Sequence, residues 1–205
     1  MRTLYTVLAH IDDLEFATLG YILNSDYDRI VLITCTTWEP KEEVFQKNLE
    51  ILKDYVNIEY VNLKFPQRLI PTYFDEIKDR IYKEIDFSSD FDILTHDAKD
   101  AHTDHTSVYK ILFGIYKYCN RFVTVYSPEM VNFTPNFFIE MDKEQLELKK
   151  KLLANYNFNE EQSYAKKGYY FQEDRIDLPT LFALDMFHNR NLVGSECYKI
   201  YKWLL

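Results

Sequence analysis

Two short clusters of imidazole and carboxylate side chains are the residues of this sequence best suited to chemistry. The first occupies residues 9–13 (AHIDD) and the second residues 102–105 (HTDH). Together they offer His10, Asp13 and His105 as a set of two imidazoles and one carboxylate. Three protein ligands with a fourth position open are typical of a catalytic zinc site, whereas a structural zinc site is usually closed by four ligands.

Two further groups in the clusters are left beside such a metal. Asp12 can take a proton from a water molecule, and His102 can stabilise an oxyanion or donate a proton. Each cluster alone has a simpler explanation, since aspartates cap helix N-termini and histidines three residues apart occur on helix surfaces. Their shared position favours chemistry, because both clusters follow a predicted strand and reach the same edge of a parallel sheet. His96 is interpreted as structural or peripheral, and His188 is given no role.

The elements that position these clusters alternate along the chain. Strands are predicted at 4–9, 29–35, 58–63, 91–95 and 121–126, and helices at 13–23, 40–55, 73–85, 104–118 and 141–155. This alternation predicts a Rossmann-like, three-layer α/β/α fold with a mostly parallel sheet. We expect one domain over residues 1–205, with the Tyr-rich and polar segment after residue 155 wrapping it.

Composition excludes several classes of protein. The chain has 205 residues but only four glycines, and none has the spacing of a P-loop or of the dinucleotide fingerprint G-x-G-x-x-G. Its 24 basic and 33 acidic residues give a net charge of −9, which disfavours nonspecific binding to nucleic acid. Three cysteines without a C-x-x-C pair indicate reduced thiols in a cytosol-like compartment.

Targeting and membrane segments are not expected. The N-terminal residues lack the apolar region and cleavage site of a signal peptide. No apolar run reaches the roughly 18 residues needed to cross a bilayer. We therefore expect a cytoplasmic protein without a membrane span, whose partner is a small-molecule substrate. The sequence leaves the oligomeric state open, homo-oligomers included.

The chain resembles the LmbE-like, or PIG-L, family of metal-dependent N-deacetylases. That family carries A-H-P-D-D after its first strand and H-x-D-H after a later one, which stand here at 9–13 and 102–105. Weaker similarities extend over most of the chain, at residues 95–102, 133–140, 149–156 and 194–196.

The resemblance implies hydrolysis of an N-acetyl group from an amino sugar or amino-sugar conjugate, giving acetate and a free amine. Asp12 would be the general base, and His102 would polarise the carbonyl and stabilise the oxyanion. Asp104 would orient His102, and Asp100 would contact the substrate or transition state. The implied metal is zinc, with Fe²⁺ as an alternative, and its ligands would be His10, Asp13 and His105.

The sequence departs from the family at several positions. Ile11 replaces a proline, and the Ser and Gln of a later Y-x-S-Q segment are missing after Tyr156. The family's substrate-binding Arg is absent from the helix at 40–55, where Lys47 is one replacement and Arg68 of the next loop is another. Trp38 is predicted either to stack on a sugar or to pack a loop. Tyr169 and Tyr170 are further candidates for lining the pocket.

Two alternatives to an amino-sugar deacetylase stay open. One is a metal amidase acting on a non-sugar N-acyl compound. The other is a catalytically silent relative that binds a sugar or a protein partner. Asp12 and His102 argue against the silent relative, because a binding module has no use for a free base beside a metal.

Overall fold

Strands and helices alternate as the sequence predicts in the part of the chain that this computed structural model describes, residues 2–127, 130, 134–156 and 194–203. The strands are β1 (Thr3–Leu8), β2 (Arg29–Thr37), β3 (Ile58–Pro66), β4 (Phe91–Thr95), β5 (Arg121–Val125), β6 (Phe137–Met141) and β7 (Gly194–Trp203). The helices are α1 (Leu19–Leu23), α2 (Glu39–Leu52), α3 (Phe74–Glu84), α4 (Thr103–Phe113) and α5 (Lys143–Ala154).

These strands form one sheet in the order β3-β2-β1-β4-β5-β7-β6. β1 to β5 are parallel, whereas β7 is antiparallel to both β5 and β6. The predicted α/β fold with a mostly parallel sheet is therefore confirmed. Strands β6 and β7 are additions that the sequence analysis did not predict.

Helices pack on both faces of the sheet because the central strands are buried on both sides. In β1, Leu4 and Leu8 join one apolar cluster with residues of α1, α2 and α5, while Tyr5 and Val7 join a second cluster with residues of α3 and α4. Every residue of β1 is buried, as expected for a central parallel strand. The two clusters make the three layers that the sequence predicts.

The segment predicted as one helix at 13–23 differs in detail. A π-helical turn at Leu14–Thr18 precedes the short helix α1. Helix α5 holds this turn: Lys149 donates from Nζ to the carbonyl oxygen of Phe16 at 3.0 Å, and the Tyr156 hydroxyl donates to the Glu15 carboxylate at 3.2 Å. The tail helix thus contacts the segment that directly follows the first histidine–aspartate cluster.

Two further observations concern the cysteines and the possibility of a membrane-spanning helix. Cys35 and Cys119 are buried and reduced. Among the residues described, no helix has both the length and the apolar character needed to cross a membrane.

Candidate metal and catalytic site

Both clusters lie where two central strands end. β1 pairs with β2 on one side and with β4 on the other, so the chain leaves β1 and β4 in opposite directions. This is a topological switch point, and in open α/β sheets the crevice beyond it is the usual place for a ligand. β1 ends at Leu8, just before the first cluster. β4 ends at Thr95, and its connection leads to His102, the N-cap of α4.

Three donor groups converge in this crevice, as predicted for the metal ligands. Nδ1 of His10 lies 3.3 Å from Oδ2 of Asp13, and Nε2 of His105 lies 3.4 Å from Oδ1 of Asp13. The two imidazole nitrogens that face each other are 3.2 Å apart. The backbone N–H of His10 donates to Asp13 Oδ2 at 2.8 Å, which fixes the carboxylate beside the ring.

The far nitrogen of each imidazole is held by another carboxylate. Nε2 of His10 is 3.2 Å from Asp104 Oδ2, and Nδ1 of His105 is 2.8 Å from Asp100 Oδ2. An ionised carboxylate only accepts hydrogen bonds, so in both rings the proton lies on the far nitrogen. In the neutral form of each ring, the nitrogen that faces Asp13 is then a lone pair, whereas in the protonated form it donates to Asp13. A carboxylate that orients a metal-binding histidine in this way is a common feature of metal sites.

The charges around His10 and His105 favour the protonated, positively charged form of each ring. Burial acts to lower the pKa of His10, but the charge of Asp13 and hydrogen bonds to Asp104 and Asp13 raise it to about 9. Burial likewise opposes the charge of His105, yet Asp13 and Asp100 raise its pKa to about 10. The pKa of Asp13 lies well below its usual value, because the nearby histidines outweigh the effect of burial.

The donor set suits a divalent metal. Three overlapping groups of ligand atoms lie within 4.8 Å of one another among the residues described: His10, His102 and His105; Asp13, His96 and His105; and His10, Asp12 and Asp13. Two imidazoles and one carboxylate are ligands for zinc, and the same combination binds non-haem Fe²⁺. In the neutral rings, the lone pairs that face one another at 3.2 to 3.4 Å repel, and either a proton or a metal ion between them offsets this repulsion.

The two predicted catalytic groups border the trio of His10, Asp13 and His105. Burial and the neighbouring charge of Asp13 raise the pKa of Asp12 to about 6. The His102 ring lies 4.8 Å from the His10 ring and 4.6 Å from the His105 ring, between centroids. Nδ1 of His102 accepts from the backbone N–H of Asp104 at 3.2 Å, so a neutral His102 carries its proton on Nε2.

Asp104 has a different partner from the expected one. Its carboxylate binds His10 and also accepts from the backbone N–H groups of Arg68 at 2.6 Å and Ile70 at 3.2 Å. The link from Asp104 to His102 runs through the backbone N–H described above. The sequence pattern H-x-D-H brought Asp104 to the site but did not reveal that its side chain reaches across to the first cluster.

Asp100 also has a role other than the expected contact with substrate. Its carboxylate is buried, with 0% exposure. Oδ1 accepts from the His102 backbone N–H at 2.8 Å, and Oδ2 accepts from His105 and from the Ser127 hydroxyl at 2.5 Å. This carboxylate therefore holds the Nδ1 side of His105, while its contact with substrate stays a prediction.

Two residues support the trio without having been predicted to do so, Ser127 through Asp100 and His96 by direct contact. Ser127 follows β5 and reaches Asp100, a contact across two strands that no local motif signals. His96, interpreted as structural or peripheral, is fully buried and stacks on His105 with ring centroids 3.8 Å apart. Burial and the proximity of His105 lower the pKa of His96 to about 4. Its position directly after β4 was the available signal.

The residues predicted to contact the substrate have different surroundings. Lys47 lies on the exposed side of α2, where its ammonium pairs with Glu43 at 2.7 Å. Arg68 is exposed in the β3–α3 connection, and its backbone, at a φ of 64°, is tied to Asp104. Trp38 is half-buried at the start of α2, with Lys41 Nζ 5.8 Å from its ring centroid. Tyr169, Tyr170 and His188 lie outside the described residues.

Comparisons with known proteins support the fold. No family model and no curated protein matches the sequence. The N,N′-diacetylchitobiose deacetylase of Pyrococcus horikoshii matches the structure with a TM-score of 0.66 and 12% identity, over 97% of this chain and 83% of that one. A deacetylase of teicoplanin biosynthesis matches with a TM-score of 0.61 and 12% identity, over 97% and 98%.

A protein with a different activity has the same fold. GalB, the 4-carboxy-2-hydroxymuconate hydratase of Pseudomonas putida KT2440, matches with a TM-score of 0.66 and 14% identity, over 100% of this chain and 98% of that one. Similarity at these identities establishes the architecture alone. The reaction of this chain must therefore be argued from its own side chains.

Proposed function

We propose that this protein is a divalent-metal-dependent N-deacetylase of the LmbE-like, or PIG-L, type that acts on an N-acetylated amino sugar or its conjugate. The observation that carries the proposal is the convergence of one carboxylate and two imidazole nitrogens at 3.2 to 3.4 Å. The far nitrogens of both rings are occupied by carboxylates. The deacetylases that share the fold are a second line of support.

His10, Asp13 and His105 would hold the metal, with zinc as the first choice and Fe²⁺ as the alternative. When bound, such an ion supplies Lewis acidity, which lowers the pKa of a water molecule and polarises a carbonyl group. Asp104 and Asp100 keep the two imidazoles oriented with their lone pairs toward Asp13. The site therefore needs no rearrangement of these rings before the metal binds.

Asp12 would act as the general base. It adjoins Asp13 in the sequence, and its carboxylate belongs to one of the groups of close ligand atoms with His10 and Asp13. In hydrolysis, Asp12 takes a proton from the attacking water while a C–O bond forms at the acetyl carbon. The same proton then passes to the amine nitrogen as the C–N bond breaks, which leaves acetate and a free amine.

His102 would stabilise the developing oxyanion. Because its Nδ1 accepts from the Asp104 backbone, the neutral ring has its N–H at Nε2 and can donate it to the carbonyl oxygen. The N-cap position fixes the side chain against α4. A hydrogen-bond donor that is fixed before the reaction begins loses little free energy to reorganisation during it.

Arg68 is the better of the two candidates for an anionic part of the substrate. Its backbone N–H is bound to Asp104, which in turn holds His10. Lys47, in contrast, already pairs with Glu43 on the surface of α2. Trp38 adjoins the end of β2, where its ring can stack on a sugar face.

A product assay tests the proposal. Purified protein is incubated with free, nucleotide-linked and lipid-linked N-acetylamino sugars and with acylated amines that are not sugars, and acetate release is measured. We expect release from at least one amino sugar, loss of activity in a chelator and recovery with zinc. Activity confined to the other acylated amines would favour a general amidase. Inactivity toward the whole panel with zinc bound would favour the silent relative.

A further inference from the structure

His96 is a buried histidine that the proposed mechanism does not use. It follows β4 directly and has 0% exposure. Its ring stacks on His105 with an angle of 7° between the planes, and its Nε2 accepts from the backbone N–H of Ala9 at 2.9 Å. One side chain thus contacts both segments that carry the proposed metal ligands, the loop after β1 and the first turn of α4.

The hydrogen bond from Ala9 fixes the state of the ring. Because Nε2 accepts this N–H, its in-plane lone pair is occupied and the proton of the neutral ring lies on Nδ1. Nδ1 is buried and has no hydrogen-bond partner among the residues described. His96 therefore presents no free lone pair to a metal, although its Nε2 lies 3.4 Å from Asp13 Oδ2.

The peptide groups on either side of Ala9 are held from two directions. The carbonyl oxygen of Ala9 accepts from the Thr36 backbone N–H at 3.0 Å and from the Thr36 hydroxyl at 2.8 Å. With its N–H on His96, Ala9 is tied to both strands that neighbour β1. The next residue is His10, so the backbone that sets the position of this ligand depends on His96.

We propose that His96 is a positioning residue for the metal site, which fixes His10 through the Ala9 backbone and His105 through ring stacking. This inference rests on the proposed function, because it assigns a role toward the metal of that same site. Removing either contact is expected to loosen one ligand while leaving all three ligands present. The effect should resemble the loss of a group that orients a ligand, which typically weakens metal binding by about 10- to 100-fold.

Two variants separate the two contacts. His96→Phe keeps a flat ring for stacking but removes the acceptor for Ala9. His96→Gln keeps an amide oxygen that can accept from Ala9 but removes the ring. The matched control is Thr95→Val, which removes a buried hydrogen bond between the same two strands, from the Thr95 hydroxyl to the Val7 carbonyl oxygen at 2.8 Å. It lies one residue earlier and touches no ligand in the trio.

The experiment titrates Zn²⁺ alone into metal-free full-length protein by calorimetry, and records the d–d absorption of the Co²⁺-loaded form. We expect His96→Phe and His96→Gln each to bind zinc about 10- to 100-fold more weakly, with unchanged stoichiometry. Thr95→Val should keep the wild-type affinity, although its thermal transition falls. The cobalt spectra of the variants should keep the wild-type band positions at saturation.

Each other outcome has a distinct meaning. Wild-type affinity in both His96 variants would overturn the inference and leave the proposed function intact. An equal loss of affinity in Thr95→Val would make His96 merely structural. A cobalt spectrum with shifted bands in both His96 variants would make His96 a ligand. Absence of zinc binding in the wild-type protein would overturn the proposed function itself. If His96→Phe does not fold, His96→Gln alone decides between these outcomes.

Discussion

The two edges of the central sheet each hold buried carboxylates, but their surroundings differ. Asp92, near the start of β4, lies at the edge opposite the candidate site and is 3% exposed. Its Oδ1 accepts from the Arg121 backbone N–H at 2.9 Å, and its Oδ2 accepts from the Tyr27 hydroxyl at 2.5 Å and from Arg2 at 3.3 Å. Every one of these partners is a donor.

At the other edge, Asp13 faces the ring nitrogens of two histidines. In the neutral rings these nitrogens are lone pairs, because Asp104 and Asp100 occupy the other nitrogen of each ring. The chain therefore surrounds Asp92 with donors and Asp13 with further atoms that can bind a metal. A buried carboxylate of the first kind stabilises the fold, whereas one of the second kind is stabilised by positive charge, either of protonated imidazoles or of a metal ion.

Asp12→Asn should show the largest effect on catalysis without loss of metal. The amide cannot take a proton, so we expect kcat to fall by about 10²- to 10⁴-fold, while zinc binding persists. The measurement is acetate release together with the zinc content of the purified variant. Asp13→Asn is the matched neighbour and should lose zinc as well as activity. Wild-type kcat in Asp12→Asn would remove this residue from the mechanism.

Asp100→Asn sharpens the contrast between the two edges. The amide weakens the hold on His105 Nδ1 and removes a negative charge beside it. We expect zinc affinity to fall by about 10- to 100-fold, as for other groups that orient a ligand. Competition with a chromogenic chelator measures this affinity. An unchanged value would mean that Asp100 supports the fold only.

Asp92→Asn is the corresponding change at the opposite edge. It removes the charge that pairs with Arg2 and weakens the bond from Tyr27. We expect the free energy of unfolding to fall by about 1–3 kcal/mol, measured by denaturant titration of the metal-free protein. Zinc affinity should equal that of the wild type. A loss of zinc affinity like that of Asp100→Asn would show that the carboxylates at the two edges do not differ in their roles.

Arg68→Ala should show the smallest of these effects and only with an anionic substrate. Loss of one charge-assisted hydrogen bond is expected to raise KM about tenfold, with kcat and zinc content unchanged. Lys47→Ala is the control and should leave KM unaltered, since Lys47 pairs with Glu43 on the surface. A larger effect for Lys47→Ala than for Arg68→Ala would make Lys47, and not Arg68, the residue that binds the anionic part of the substrate.

Local patterns predicted much of this molecule. The short apolar runs of β1 and β2 and the helical spacing of Ile77 and Ile81 in α3 depend on short segments, so the sequence reveals them. The two histidine–aspartate clusters are also short segments, so the sequence reveals them as well. The parallel strands predicted before them place both clusters at one edge of the sheet. His10, Asp13 and His105 do lie together there.

Contacts between distant segments could not be predicted. The pairing of His105 with Asp100 joins residues five apart in the chain, but Ser127 joins it from beyond β5 and Asp104 reaches back to His10. Strands β6 and β7 were missed because polar and apolar residues are mixed in them, as in the sequence GSECYKIYKW of β7. Their pairing also joins segments far apart in the chain.

Zinc titration of metal-free protein tests the central claim most directly. The wild type is compared with the double variant His10→Ala/His105→Ala, which removes both imidazoles but leaves Asp12, Asp13 and His102 in place. We expect about one zinc ion per wild-type chain, as for a single three-ligand site, and no binding of comparable affinity in the double variant. Zinc binding by the double variant with wild-type affinity and stoichiometry would contradict the assignment of this site.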